Sequence, residues 1–163
     1  MSDLNIRPAT AVDVSLILSF IRELAEYERL ANEVVASEAE LTRWLFGEQP
    51  AARVLIAEYR SEPAGFALFF LNFSTFLARP GIFLEDLYVR PAVRGKGIGK
   101  ALLKELVKTA AREGYGRVEW AVLDWNTSAI EFYRSLGAKP MTDWTIFRLN
   151  SAAINSLAKD DKN

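Results

Sequence analysis

The feature that most constrains the fold is a glycine-rich segment between two periodic stretches. Residues 94–99 are Arg-Gly-Lys-Gly-Ile-Gly and follow residues 82–89, an apolar and aromatic run that predicts a β-strand. Apolar residues then recur at helical spacing to about Glu113, and Gly114 follows in the position of a helix C-cap. Residues 118–123 predict a further strand, which a crossover helix would place parallel to the first. The segment therefore predicts a β-α-β unit with a glycine turn at the start of its helix.

The remaining periodic segments predict a mixed α/β sheet. The runs that are typical of strands are residues 5–8, 53–59, 66–73 and 145–149. Thr10 and Ser37 each stand three residues before an acidic residue, as a helix N-cap does, and predict two helices ahead of residue 53. Asn126 predicts the cap of a later helix that ends at Gly137. We expect one domain over residues 4–150, followed by a polar tail at residues 151–163 that frays.

The absence of histidine and cysteine limits the chemistry that the chain can perform. A Ser-His-Asp triad, a thiolate nucleophile and a metal site built on His or Cys are excluded, so we expect no metal. Proton transfer then falls to carboxylates, Tyr, Lys, hydroxyl groups or water. The net charge of −1 predicts no attraction to nucleic acid or membranes. Because the first residues lack a basic segment followed by an apolar one, we expect a cytoplasmic protein.

Three kinds of phosphate-binding loop can be compared with the glycine segment. A Walker A loop needs Ser or Thr after its lysine, but Lys100 is followed by Ala101. A dinucleotide-binding loop would place its third glycine at position 100, which is Lys100. The pattern Arg/Gln-x-x-Gly-x-Gly/Ala fits residues 94–99 and predicts a pyrophosphate cradle, because glycines let backbone N–H groups turn toward an anion at a helix N-terminus. The alternative is a glycine-rich turn without a ligand.

Segments throughout the chain resemble the GNAT superfamily of acetyl-CoA-dependent N-acetyltransferases. The stretches IRPAT, RELAEYE, LEDLYV, RGKGIG, LDWN and YRSLGA are similar to the diamine (spermidine/spermine) and thialysine N-acetyltransferases. The resemblance implies the GNAT fold, a mixed sheet of about six to seven strands with helices on both faces. Its N-terminal part would be antiparallel, and a parallel pair would splay around the cofactor. It also implies acetyl-CoA as acyl donor, a small amine as acceptor, and a homodimer.

The resemblance also assigns site residues. The predicted catalytic residues are Tyr133 as general acid and Glu85 as the carboxylate on the substrate side. The predicted coenzyme A contacts are the strand residues Leu87, Tyr88 and Val89, the loop residues Arg94, Gly95, Lys96, Gly97, Ile98, Gly99 and Lys100, and the helix residues Asn126, Thr127, Ser128, Ala129 and Tyr133. The predicted amine contacts are Tyr27, Glu28, Glu85, Glu119, Trp120, Ala121 and Asp143. The acidic loop that the family carries before the position of Trp144 is shorter here and keeps one carboxylate, Asp143.

Proton transfer defines what these residues must do. An alkylamine with a pKa of about 10.4 needs roughly 4.6 kcal/mol to become neutral at pH 7, so a carboxylate must accept its proton. Strand alternation predicts opposite faces for Glu85 and Asp86, and we expect Glu85 to face the substrate. A tyrosine, with a pKa of about 10, can protonate a departing thiolate whose conjugate acid has a pKa of about 8.5. A backbone N–H near Leu87 would meet the oxyanion, where such strands often bulge.

Two charge patterns fit this reading. Six acids between residues 22 and 40 predict an acidic rim that attracts a polycation: Glu23, Glu26, Glu28, Glu33, Glu38 and Glu40. Five cations at four-residue spacing begin at the loop and form a basic stripe, of which we expect the first members to meet coenzyme A phosphates and the rest to be solvated: Lys96, Lys100, Lys104, Lys108 and Arg112. The run PAGFALFFLNF is apolar on both faces, which predicts cover by the domain's own helices on one face and by a second subunit on the other. Two alternatives stay open: a peptide or protein N-acetyltransferase, and a non-catalytic coenzyme A-binding sensor.

Overall fold

The computed structural model describes residues 3–159 and contains, within them, one five-stranded sheet in the order β1-β2-β3-β4-β5. The strands are β1 Leu4–Pro8, β2 Arg53–Tyr59, β3 Glu62–Ser74, β4 Arg79–Val89 and β5 Val118–Trp120. The first four pair in antiparallel fashion, and β5 joins β4 in parallel. The predicted mixed sheet with an antiparallel first part is therefore confirmed, although the described residues hold five strands and not six or seven.

Five α-helices accompany the sheet in the described part of the chain: α1 Val14–Tyr27, α2 Glu38–Phe46, α3 Ile98–Glu113, α4 Thr127–Ser135 and α5 Ser151–Ala158. Local signals set several of their ends. In the 3₁₀ turn Ala11–Asp13 that leads into α1, the carboxylate of Asp13 accepts from the backbone N–H of Thr10 at 2.7 Å. At the start of α2 the hydroxyl of Ser37 accepts from the N–H of Glu40 at 3.3 Å. Gly114 ends α3 with a φ of 68°, a value that favours glycine.

The chain divides into two compact units, one ending at Leu123 and the other beginning at Asp124. The first unit holds the whole sheet together with α1, α2 and α3, and the second holds α4 and α5. Among the described residues no helix combines the length and the apolar composition needed to cross a membrane.

Both faces of the sheet are covered by helices in the first unit. One face packs against α1 and α2 through a cluster of Ile17, Phe20, Leu24, Leu45, Val54, Ile56, Phe66 and Tyr88. The rings of Phe20 and Phe66 stack with centroids 5.3 Å apart. Strand alternation sends Ala67 and Phe69 to the other face, where α3 contacts β3 and β4 and buries Leu102 and Leu106. The central strands are thus apolar on both sides, as their sequence predicts.

The structure differs from the sequence prediction near the C-terminus. The predicted strand at residues 145–149 is absent, and Ile146 and Phe147 are exposed instead. Alternation predicts a strand but cannot supply the neighbouring edge that a strand must pair with. The tail predicted to fray contains α5, because Asn150 caps it by accepting from the N–H of Ala153 at 2.9 Å. The last four positions of that tail, residues 160–163, lie outside the described residues.

Candidate active site

The glycine segment forms an uncapped helix N-terminus. Gly95 and Gly97 have φ values of 76° and 78°, and Gly97 immediately precedes α3. The first intrahelical bond runs from the N–H of Ala101 to the carbonyl of Gly97 at 2.9 Å, and no side chain caps the helix. The amides of residues 98–100 therefore remain as donors toward an anion. Because an added Cβ at Gly95 or Gly97 would meet no atom within 4 Å, their conformation and not crowding requires glycine.

The strand that precedes this loop has an open edge. The parallel pairing of β4 with β5 runs from Ile82 and Val118 to Leu84 and Trp120, and no described residue continues it. The N–H of Arg90 donates to the Ala64 carbonyl of β3 at 2.9 Å. Since backbone groups alternate in direction along a strand, those of Leu87 and Val89 point away from β3, toward the open edge. The predicted pairing of a pantetheine arm with Leu87 and Val89 requires an edge of this kind.

Arg94, the first residue of the phosphate motif, lies back along β4. Its Nε donates to the Val89 carbonyl at 2.8 Å. Its guanidinium carbon lies 4.7 Å from the centroid of the Tyr27 ring and 5.7 Å from that of Tyr88. The Nζ of Lys96 lies 5.7 Å from the centroid of the Tyr59 ring. Arg94 therefore contacts a residue of the predicted coenzyme A edge and a residue of the predicted amine site together.

A β-bulge interrupts β4 between these features and the paired end of the strand. Asp86 lies opposite Leu68 and Leu84 lies opposite Phe69, so Glu85 is the extra residue. Simple alternation, which predicts opposite faces for Glu85 and Asp86, does not hold across such a bulge. Asp86 lies on the face of the sheet that α1 covers, because its partner Leu68 packs against the cluster of Phe66 and Tyr88. Glu85 is exposed.

Three carboxylates gather at this bulge. Burial, together with the smaller effect of the charges of Glu85 and Glu28, raises the pKa of Asp86 from its ordinary value of 3.8 to about 6. Burial also raises the pKa of Glu28. Asp86 was not among the predicted site residues, because the sequence analysis expected a bulge near Leu87 but not its position at Glu85, which turns Asp86 toward Glu28. The predicted substrate-side carboxylate, Glu85, is its exposed neighbour.

An ion pair anchors the end of β4 to α1. Arg90 donates to the two carboxylate oxygens of Glu23 at 2.8 and 3.1 Å and to the Pro63 carbonyl at 3.0 Å. Ser19 adds a hydrogen bond to Glu23 at 2.9 Å, and the arginine holds the pKa of Glu23 below its ordinary value. Glu23, predicted as part of an acidic rim, thus has a structural partner. The pair ties α1, one helical turn before Tyr27, to the residue that follows β4.

The predicted amine contacts on β5 lie beside the paired part of β4, which ends at Leu84, one residue before the bulge. Glu119 lies opposite Phe83 in the paired part of the sheet. Its carboxylate accepts from Nε of Arg117 at 2.8 Å and from Nδ2 of Asn72 at 3.2 Å. Trp120 ends β5 and Ala121 follows it in irregular structure. The carboxylate of Glu119 therefore already has two partners, whereas Tyr27, Glu28, Glu85 and Arg94 surround the end of α1 and β4.

The second unit carries the predicted general acid. Asn126 is buried and caps α4, accepting from the N–H of Ala129 and the hydroxyl of Ser128, each at 3.3 Å. Thr127 begins the helix. Tyr133 lies seven residues after Asn126 and so on the same face of α4, partly buried, with its ring centroid 5.3 Å from that of Phe132. Asp143 is exposed in irregular structure.

Comparison with known proteins shows which family the chain resembles. The model of the acetyltransferase (GNAT) family matches residues 19–138. The chain is 40% identical over 169 residues to thialysine N-epsilon-acetyltransferase of Bos taurus, with 97% of this chain and 99% of that protein covered. It is 34% identical over 200 residues to L-ornithine N5-acetyltransferase of Arabidopsis thaliana, with 95% and 88% covered.

A solved structure has the same fold over nearly the whole chain. An integron cassette protein from the mobile metagenome of V. cholerae superimposes with a TM-score of 0.82 at 26% sequence identity. The match covers 98% of this chain and 99% of that one. The observed sheet and helices are therefore those of an existing fold class and not an isolated arrangement.

Proposed function

The chain belongs to the acetyltransferase (GNAT) family, and we propose that it acetylates a primary amine of a small thialysine-like or polyamine substrate, with acetyl-CoA as the donor. The observation that carries the proposal is the cluster of Asp86, Glu28 and Glu85 at the β4 bulge, in the same unit as an open strand edge and an uncapped helix N-terminus. Two relatives with 40% and 34% identity are named for acetylation of a side-chain nitrogen, which favours an acceptor of that kind.

The donor site is the glycine loop with the edge of β4. The free amides of residues 98–100 and the exposed cations Lys96 and Lys100 suit a pyrophosphate. The outward backbone groups of Leu87 and Val89 suit the amides of a pantetheine arm, which would extend the sheet as an added strand does. We place Asn126, Thr127, Ser128 and Ala129 beside the same ligand on the family resemblance. Acetyl-CoA supplies the thioester acetyl group.

The acceptor site is the carboxylate cluster at the end of α1. Glu28, Glu85 and Asp86 offer negative charge to an ammonium, and burial strengthens that attraction because it lowers the effective dielectric constant. Tyr27 adds an aromatic face next to Glu28. Glu119, Trp120, Ala121 and Asp143 remain predicted contacts for the far end of the acceptor.

Asp86 is our candidate for the base. The ammonium of the acceptor must lose a proton before its nitrogen attacks the thioester carbon, and Asp86, directly or through water, takes that proton. A carboxylate with a pKa of about 6 is a stronger base than one at 3.8, yet it is largely ionised at pH 7. Glu85, the sequence-based choice, would then help to hold the cation.

Tyr133 is our candidate for the acid. When the carbon–sulfur bond breaks, the thiolate takes a proton, and a tyrosine hydroxyl remains protonated at neutral pH because its ordinary pKa is about 10. The backbone N–H groups that follow the bulge, near Leu87, are candidates for the oxyanion contact. The family resemblance supports both assignments.

The acceptor class can be tested by measuring thiol release from acetyl-CoA with four acceptors: thialysine, L-ornithine, spermidine and a lysine-containing peptide. We expect release with at least one of the three small amines and a much lower kcat/KM with the peptide, since a peptide offers less positive charge to the three carboxylates. Higher activity with the peptide would favour a protein acetyltransferase. Tight coenzyme A binding without release from any acceptor would favour a sensor.

A homodimer remains part of the proposal. Leu71 and Phe73 on β3 are 44% and 59% exposed, although they continue a strand whose other apolar residues are buried or half-buried. Cover by a second subunit would remove this apolar surface from water. Sedimentation of the purified chain tests this, since a monomer at micromolar concentration would contradict it.

A further inference from the structure

Arg94 contacts both halves of the proposed site. Its Nε donates to the Val89 carbonyl at 2.8 Å, and its guanidinium carbon lies 4.7 Å from the centroid of the Tyr27 ring. Val89 belongs to the open edge of β4, which the donor would use. Tyr27 ends α1 next to Glu28, where the acceptor would bind. One flexible side chain therefore joins the donor edge to the acceptor end of the site.

The donor would compete for this side chain. The Val89 carbonyl points away from β3, since the N–H of the next residue, Arg90, is bonded to Ala64. A pantetheine amide that pairs with this carbonyl meets an oxygen that already accepts from Arg94. A pyrophosphate in the adjacent loop offers a guanidinium two charge-assisted hydrogen bonds, which are stronger than one bond to a neutral carbonyl. Donor binding thus favours movement of Arg94 away from Val89.

The acceptor side responds to the same movement. While Arg94 lies on Tyr27, it covers one face of the ring and places a positive charge against that face. An incoming ammonium is repelled by that charge and loses a ring face on which it could stack. When the guanidinium leaves, both obstacles disappear and the charge of the carboxylate cluster acts on the amine alone.

We propose that Arg94 is a positioning residue that couples the two substrates: it covers Tyr27 until the donor draws it to the pyrophosphate. The inference rests on the proposed function, because it takes acetyl-CoA and a cationic amine as the two ligands. Coupling of this kind is reciprocal, so coenzyme A raises the affinity for the amine by the same factor as the amine raises the affinity for coenzyme A.

Calorimetric titration of the full chain with thialysine, without and with saturating coenzyme A, measures this factor. Coenzyme A carries no acetyl group, so no turnover occurs. In the wild type we expect thialysine to bind about fivefold more tightly or better when coenzyme A is present, which corresponds to about 1 kcal/mol. Arg94→Gln removes the cation but keeps a residue that the phosphate motif accepts. In this variant we expect the affinity for thialysine without coenzyme A to rise. The ratio of the thialysine affinities with and without coenzyme A should then fall to about one.

Matched variants separate coupling from loss of charge or of folding. Lys96 is a cation of the same loop, and its Nζ lies near the Tyr59 ring and not near Tyr27. Lys96→Gln should therefore weaken coenzyme A binding but leave the affinity ratio for thialysine unchanged once coenzyme A is saturating. Tyr27→Phe keeps the ring and should keep the ratio, whereas Tyr27→Leu should lose it. Thermal melts identify a variant that does not fold, and Tyr27→Leu tests the coupling independently of Arg94→Gln.

The outcomes distinguish the coupling from the proposed function. A ratio near one in the wild type, or an unchanged ratio in both Arg94→Gln and Tyr27→Leu, overturns the coupling, even where the wild type transfers acetyl groups to thialysine. Wild-type acetyl transfer leaves the proposed function intact in that case. A wild type that neither binds coenzyme A nor acetylates any amine overturns the proposed function and the coupling with it.

Discussion

Replacement of Asp86 by asparagine should stabilise the protein at alkaline pH while it reduces activity. The folded state raises the pKa of this carboxyl from 3.8 to about 6, so folded protein binds the proton more tightly than unfolded protein does. The contribution of Asp86 to stability is therefore complete below pH 3.8 and is lost as the pH rises to about 6. The difference of about 2.2 pKa units, at 1.36 kcal/mol each, amounts to about 3 kcal/mol as an upper bound.

Asp86→Asn has no carboxyl group to titrate at this position, so the variant should be more stable than the wild type above pH 6 but not below pH 4. For a chain of 163 residues, 3 kcal/mol corresponds to a rise in Tm of roughly 6–12 °C at pH 8. The loss of the base should lower kcat about 100-fold or more. Urea denaturation at pH 4 and pH 8, together with the rate of thiol release, measures both effects.

Glu85→Gln is the matched control, because it removes the exposed neighbouring carboxylate. We expect it to lower the pKa of Asp86 slightly and to change stability at pH 8 by much less than Asp86→Asn does. The reasoning is refuted if Asp86→Asn is no more stable than the wild type at pH 8, or if its gain is the same at pH 4.

Four further substitutions test other parts of the structure. Gly97→Ala should lower the free energy of unfolding by about 1–2 kcal/mol, since a φ of 78° strains alanine. Gly99→Ala is the control: its added Cβ would meet only Val89 Cγ2, at 3.7 Å, so it should cost little. Urea denaturation compares the two variants. Tyr133→Phe should lower kcat about 100-fold and leave the KM for acetyl-CoA unchanged; equal turnover would remove its acid role. Glu23→Gln should destabilise the fold by about 1 kcal/mol, because it breaks the pair with Arg90; an unchanged Tm would contradict this.

Much of the fold follows from local signals that act within a few residues. The N-cap at Ser37, the glycine that ends α3 and the glycine loop before it each determine the backbone where they stand, and the structure confirms them. The predicted strand at residues 145–149 was wrong because a strand depends on a partner edge, which no local pattern encodes. The N-cap at Asn150 was a local signal of α5 that the polar composition of the tail concealed.

The same limit applies to the site: local patterns in the sequence locate part of it, but contacts between distant segments could not be predicted. The loop and the strand edge are contiguous in sequence and were located from it, whereas the roles that we propose for Asp86 and Arg94 rest on contacts between distant segments. A one-residue bulge, visible only as a shift between Leu68 and Phe69 of the neighbouring strand, brings Asp86 toward Glu28. The contact of Arg94 with Tyr27 joins positions 67 residues apart in the chain.

The pH dependence of kcat/KM for thiol release from acetyl-CoA, with thialysine as acceptor, tests the central claim most directly. We predict that kcat/KM falls as the pH drops through about 6, where Asp86 becomes protonated. This acidic limb of the pH profile should disappear in Asp86→Asn. Turnover that keeps the same acidic limb in Asp86→Asn would contradict the role of Asp86. Absence of thiol release with thialysine, L-ornithine and spermidine at every pH would contradict the proposed activity itself.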